Sequence, residues 1–164
     1  MRKKTSMTKS IKDKLLAFSK EVDELYHRLV LIVGPPGSGK TTILNTISKE
    51  LGKDIINVNL ELSERLLEMT AKKRILKISW IFDKILGPNK TTIILDNIEI
   101  LFDVELKQDP LKLLQKSSRN RTIIASWSGK VKNEKLIYAE PGHPEYRTYN
   151  TNDILIVTMD KNNH

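Results

Sequence analysis

The sequence predicts an α/β fold, with a mainly parallel five-stranded sheet between layers of helix. Three observations point to it. Short β-rich runs alternate with stretches of helical periodicity, at the spacing of right-handed βαβ crossovers. The first run, Leu29-Val30-Leu31-Ile32-Val33, is continuously apolar, as a strand covered on both faces must be. A glycine-rich segment lies directly between that run and the next helical pattern.

From Ile11 to His27, Ile11, Leu15, Leu16, Phe18, Val22, Leu25 and Tyr26 recur at spacings of three and four, which predicts an amphipathic helix. Residues 1–27 are read as a basic helical extension and 28–160 as the folded domain. After the first strand, 34–39 is a loop. Lys40 to Leu51 is a helix, with Gly52 as its stop. Asp54 to Leu60 is the second strand. Glu61 to Leu86 has a helical pattern with a break near Ser79, and Gly87-Pro88-Asn89 ends it. Thr91 to Leu95 is the third strand, closed by Asp96. Asp109 caps a helix with Pro110 at its first position, running to Ser117. Thr122 to Trp127 is the fourth strand. Residues 128–150 read as a polar excursion, too long for connection alone, and Glu140–Arg147 within it, around His143, is rich in groups able to bind something, which suits either partner recognition or a plain ordered loop. Ile154 to Met159 is the fifth strand.

Composition narrows the chemistry. The 164-residue chain is 39% hydrophobic and 29% charged, enough apolar content for a core, with a net charge of +8. It has no cysteine, which excludes disulfides, thiolate metal sites and a cysteine nucleophile. The amino terminus is basic but leads into no apolar segment, so no secretory signal is read there. No apolar run approaches bilayer length. A soluble cytoplasmic protein without membrane contact is expected. Positive charge gathers in residues 1–20 (Arg2, Lys3, Lys4, Lys9, Lys12, Lys14 and Lys20 against Asp13) and in Lys72, Lys73, Arg74 and Lys77. Either cluster suits phosphates or an acidic partner, or is simply a solvated face. With no aromatic residue inside the clusters, a stacking platform for single strands is not expected. Trp80 and Trp127 are read as core or interface residues, and His27 as a residue that ends the first helix.

The chemistry is carried by Gly34-Pro35-Pro36-Gly37-Ser38-Gly39-Lys40-Thr41, followed by Thr42, which matches G-x-x-x-x-G-K-[ST] between a strand and a helix. Glycine lets the backbone approach an anion and turn its N–H groups inward. The new helix directs its positive end at the same point. Lys40 reaches β- and γ-phosphates, and the Thr41 hydroxyl ligates Mg²⁺. Thr91-Thr92-Ile93-Ile94-Leu95-Asp96 is an apolar strand ending in a carboxylate, which offers Asp96 as the second Mg²⁺ anchor at the same sheet edge. These residues define a P-loop NTPase with Walker A and Walker B motifs. Many such ATPases carry a glutamate directly after the Walker B aspartate; here Asn97 stands there, and Glu99 either orients water, if the backbone turns it inward, or has a solvated or structural role. Ser126, at the end of the fourth strand, is the candidate sensor of the γ-phosphate. Arg119 and Arg121 lie before that strand, towards the opposite edge; either suits an arginine finger offered to a neighbouring subunit, or an ordinary surface role. No guanine-specifying Asn-Lys-x-Asp occurs, which favours adenine.

The motif Gly-Pro-Pro-Gly-Ser-Gly-Lys-Thr-Thr, with an extra strand between the Walker B strand and the end, resembles the AAA+/ASCE branch of P-loop NTPases. That resemblance implies a sheet order of 5-1-4-3-2. The chain stops just after the fifth strand, so the AAA+ helical lid is expected to be missing. The runs Asn57–Leu67, Leu95–Phe102, Ser118–Thr122 and Tyr138–Arg147 further resemble the BrxF family, small P-loop proteins of bacterial BREX phage-exclusion systems. The resemblance covers roughly residues 25–158 and implies a role in phage defence beside other BREX components. The sequence is thus expected to be an ATP- and Mg²⁺-binding protein that hydrolyses ATP weakly alone, with self-association or partners as stimulants. The alternatives are a non-hydrolysing ATP-gated switch and an ATP-dependent module that holds DNA through the basic amino terminus.

Overall fold

The computed structural model describes residues 26–88, 91–152 and 154–159, together with Asp13, Lys14 and Ala17. The expected helix over 11–27, and the extension it belongs to, lie almost wholly outside the described residues.

Five strands run parallel: β1 (Leu29–Gly34), β2 (Ile55–Asn57), β3 (Ile93–Asp96), β4 (Ile123–Lys132) and β7 (Leu155–Thr158). Their order is β2-β3-β4-β1-β7. Since β7 is the fifth of these parallel strands in the chain, this is the expected 5-1-4-3-2. The central place of β1 fits what it buries. In β1, Leu29, Leu31 and Val33 face one core, while Val30 and Ile32 face the other. On the second face lies α1 (Lys40–Leu51), which contributes Ile43, Leu44 and Ile47. On the first lie α2 (Val58–Leu66), α3 (Ala71–Leu86) and α4 (Pro110–Ser117). Only a central strand covered on both sides can be apolar at every position, as β1 is.

Three boundaries differ from the sequence reading. The second strand is shorter than Asp54–Leu60, because the Asn57 side chain accepts the Leu60 N–H at 3.1 Å and starts α2 at Val58. The helical stretch over 61–86 is two helices, and it breaks at 67–70 while Ser79 sits inside unbroken α3. Thr70 caps α3 by accepting the Lys73 N–H at 3.2 Å, and Arg74 Nε donates to the Leu66 carbonyl at 3.0 Å at the end of α2. Asp109 caps α4 with Pro110 in its first turn, as expected.

The segment 128–150 carries the end of one strand and two further strands, with 139–146 as the connection between them. Strand β4 continues to Lys132, turns through Asn133 and Glu134 at φ of 53° and 60°, and pairs antiparallel with β5 (Lys135–Tyr138). Strand β5 pairs in turn with β6 (Arg147–Asn150), giving seven strands in all. The two left-handed residues make the tight turn that matches strand twist. The hairpin does not stand off in solvent: Leu136, Tyr138 and Tyr149 pack with Trp127 and Phe102 in the first core. Trp127 is fully buried, its Nε1 donating to the Ile137 carbonyl at 3.2 Å. Trp80 is not a core residue; it lies exposed on α3. His27 sits before β1, with Nδ1 3.0 Å from the Gln115 carbonyl. Among the described residues no helix is long and apolar enough to cross a membrane.

Candidate functional site

Parallel strands bring their carboxyl ends to one edge, and the loop after β1 and the end of β3 meet there. The loop Gly34–Gly39 turns on Gly37 and Gly39, at φ of 78° and 98°, a region that side chains with a Cβ rarely adopt. Ser38 N–H donates to the Pro35 carbonyl at 3.2 Å, closing the turn. Lys40, buried at the start of α1, donates from Nζ to the carbonyls of Gly34 and Pro35, each at 2.8 Å. The ammonium is thereby held inside the curl of the loop. Burial lowers its pKa, and the charges of Glu99 and Asp96 oppose that shift.

Asp96 is the hub. Thr41 Oγ1 donates to Asp96 Oδ2 at 2.8 Å. Ser126 Oγ donates to Asp96 Oδ1 at 2.6 Å, and the Asn97 N–H donates to the same oxygen at 2.9 Å. The carboxylate is thus oriented by β4 on one side and aimed at α1 on the other. Asn97 sits at φ 53°, a left-handed conformation that asparagine tolerates better than most residues. That turn leads into a 3₁₀ helix, Glu99–Phe102, at whose start Glu99 feels the charges of Asp96 and Lys40. Burial raises the Glu99 carboxyl, the Asp96 charge adds to the rise, and the Lys40 ammonium opposes it. Glu99 therefore shares one electrostatic environment with both residues.

The residues present suit a nucleoside triphosphate with Mg²⁺. Ser38 Oγ, in the glycine-rich loop, is buried with no hydrogen-bond partner among the described residues. The Thr41 hydroxyl and Asp96 carboxylate are a hard oxygen pair of the kind Mg²⁺ takes. The loop residues Gly34 to Thr42 would hold the phosphates, and Thr41 with Asp96 the metal.

The structure brings together Lys40, Thr41, Asp96, Glu99 and Ser126. It does not bring Arg119 there within one chain. Arg119 precedes β4, at the edge where the parallel strands begin, with its guanidinium carbon 4.9 Å from the Tyr26 ring centroid. Arg121 is buried and structural, donating to the Gly87 carbonyl at 2.8 Å and lying 3.8 Å from Asp83. His143 is engaged locally, its Nδ1 accepting the Glu145 N–H at 3.0 Å. Sequence reasoning missed Asn59. Its N–H donates to the Asn97 carbonyl at 2.8 Å, and its Oδ1 accepts the Ile100 N–H at 2.8 Å. It clasps both ends of the turn that carries Glu99. The only signal for it was an asparagine two residues beyond another, just past the second strand. Beside this clasp opens a cleft of about 610 Å³, lined by Asn57, Asn59, Ser63, Asn97, Glu99 and Glu145 among others.

A glycine-rich anion loop and a strand-end carboxylate on a parallel sheet in this order define a P-loop nucleotide-site architecture. The family model of the AAA proteins, ATPase family associated with various cellular activities, matches residues 30–132, and the chain belongs to that family. It is 37% identical over 59 residues to the replication factor C large subunit of Pyrobaculum arsenaticum, covering 34% of this chain and 14% of that one. It is 34% identical over 53 residues to the Lon protease of Wolbachia pipientis subsp. Culex pipiens, covering 30% of this chain and 6% of that one. The chain therefore spans only a small part of the length of these relatives. Among solved structures, PCH-2 of C. elegans aligns with a TM-score of 0.46 at 14% identity, covering 93% of this chain and 42% of the other.

Proposed function

We propose that this protein binds ATP with Mg²⁺ and hydrolyses it weakly on its own, faster when self-association or partners complete the site. The observation that carries the reading is the Thr41–Asp96 contact of 2.8 Å beside the buried Lys40 ammonium. Membership of the AAA family supports it. Loop amides and Lys40 hold the phosphates and offset developing negative charge. Thr41 and Asp96 would hold the metal, and Ser126 keeps Asp96 aimed. When bound, Mg²⁺ neutralises charge on the β- and γ-phosphates. Glu99, whose burial makes its carboxylate a better base than an exposed one, orients water and takes its proton.

The runs shared with the BrxF family favour work in a bacterial BREX anti-phage system beside its other components. A second reading, an ATP-gated switch that does not hydrolyse, is favoured by Asn97 standing where many ATPases carry glutamate.

Nucleotide titration of the wild type and Lys40→Ala tests the binding reading; equal ATP affinity in both overturns it. Phosphate release that depends on Mg²⁺ and disappears in Asp96→Ala separates hydrolysis from the switch. No turnover alone, with DNA or with co-purifying proteins leaves the switch.

A further inference from the structure

The outward face of α3 takes no part in the site above. It presents Lys72, Lys73, Leu76, Lys77, Trp80 and Lys84, all exposed. Leu76 is 71% exposed and Trp80 57%, one helical turn apart. The Nζ atoms of Lys77 and Lys84 lie 5.5 and 5.3 Å from the Trp80 ring centroid. The one acid on this face, Asp83, is 3.8 Å from Arg121 and so is partly neutralised. The sequence clusters held no aromatic residue, but the helix brings Trp80 up beside Lys77 and adds Lys84 from one turn further on.

We propose that this face binds single-stranded nucleic acid. A tryptophan left largely in water costs hydrophobic free energy, and here two ammonium groups orient its indole. Lys77 and Lys84 are separated by about 10 Å along the helix axis, with Trp80 between them. A strand laid along α3 displaces an ammonium from over the indole, stacks a base on Trp80 in its place, and brings phosphates on either side to Lys77 and Lys84. Leu76 offers the next base an apolar contact. The cations are lysines, point charges suited to phosphate, and none is an arginine fork. Two apolar side chains are too few for the packed centre of a protein–protein interface, whereas one aromatic platform among cations suffices for a strand.

The tryptophan pair makes the test direct. Trp127 is 0% exposed, so quenching by an added ligand reports Trp80. The full chain is titrated with oligo-deoxythymidine while tryptophan fluorescence and the anisotropy of a labelled oligonucleotide are followed. Saturable quenching is expected, with affinity falling as salt rises. Lys77→Glu with Lys84→Glu flattens the logarithmic salt slope by about 1.4. By anisotropy, Trp80→Ala lowers affinity about tenfold while Trp80→Phe retains it. Circular dichroism and ATP affinity stay unchanged in these variants, which separates this surface from the nucleotide site. Three outcomes overturn the proposal: no binding, binding indifferent to the α3 variants, or polyglutamate quenching Trp80 as strongly as the oligonucleotide.

Discussion

Thr41 and Asp96 stand 55 positions apart in the chain, yet Thr41 Oγ1 donates to Asp96 Oδ2 at 2.8 Å. One opens a helix and the other closes a strand, and the pair spans the two motifs to which the proposed function assigns Mg²⁺. Thr41→Val keeps the shape and removes the hydroxyl. Folding stability should drop by about 1 kcal/mol, the ordinary value of one hydrogen bond. The enhancement of ATP binding by Mg²⁺ should largely vanish, measured by calorimetry with the metal and with a chelator.

Lys40 is anchored twice, to the carbonyls of Gly34 and Pro35. Lys40→Ala removes the phosphate-facing charge together with the tether that shapes the loop. ATP affinity should fall by at least about tenfold, since a charged hydrogen bond is worth about 1.5–3 kcal/mol. Lys40→Arg should not rescue it, because a planar fork cannot occupy a place shaped for a compact ammonium.

Gly34 is needed for space. A Cβ there would lie 2.5 Å from Ser38 Oγ and 2.8 Å from Met159 Cβ. Gly34→Ala should cost about 1–3 kcal/mol by overpacking. Thermal unfolding should show the loss, and nucleotide affinity should fall with it, because the strain lands on the loop itself.

Glu99 links pH to stability. Burial, helped by the Asp96 charge and opposed by Lys40, holds its carboxyl above the ordinary 4.5. The folded protein keeps a proton that the unfolded chain releases, so stability falls as pH rises between those two values. Glu99→Gln removes that dependence. Its melting temperature at neutral pH should exceed the wild type's, and the stability curve should flatten in mildly acidic solution. If Glu99 takes the water's proton, turnover in the variant should fall about 10²-fold or more with ATP binding retained.

Asn59 acts through Glu99. Asn59→Ala removes the acceptor for the Ile100 N–H and should cost about 1–3 kcal/mol. The rate of hydrolysis should drop more than ATP affinity, because the loosened turn carries Glu99 and not the phosphate loop. An equal loss in both parameters would argue against this role.

The strand runs, the anion loop and the two oxygens at its edge were legible in the chain alone, and each rests on a local rule; the order of the parallel strands was implied only by the resemblance to the AAA+/ASCE branch. A strand buried on both faces must be apolar throughout, as Leu29–Val33 is; only glycine sits easily at Gly37 and Gly39; and a carboxylate at the end of β3 reaches the edge where the loop lies. The hairpin over 128–150 escaped because its turn is Asn133-Glu134 without the usual glycine, and because Leu136, Tyr138 and the half-buried Tyr149 are too few apolar positions among polar residues to mark core strands.

What only tertiary structure decided are the meetings between distant residues. That Ser126 binds Asp96, that Asn59 clasps the turn beneath Glu99, and that Trp80 is left outside while Trp127 is enclosed are not written in any local pattern. The chain's periodicity says which face of an element seeks cover. Which partner supplies the cover, or a matching donor, depends on how sheet and helices pack, and that is a property of the whole fold.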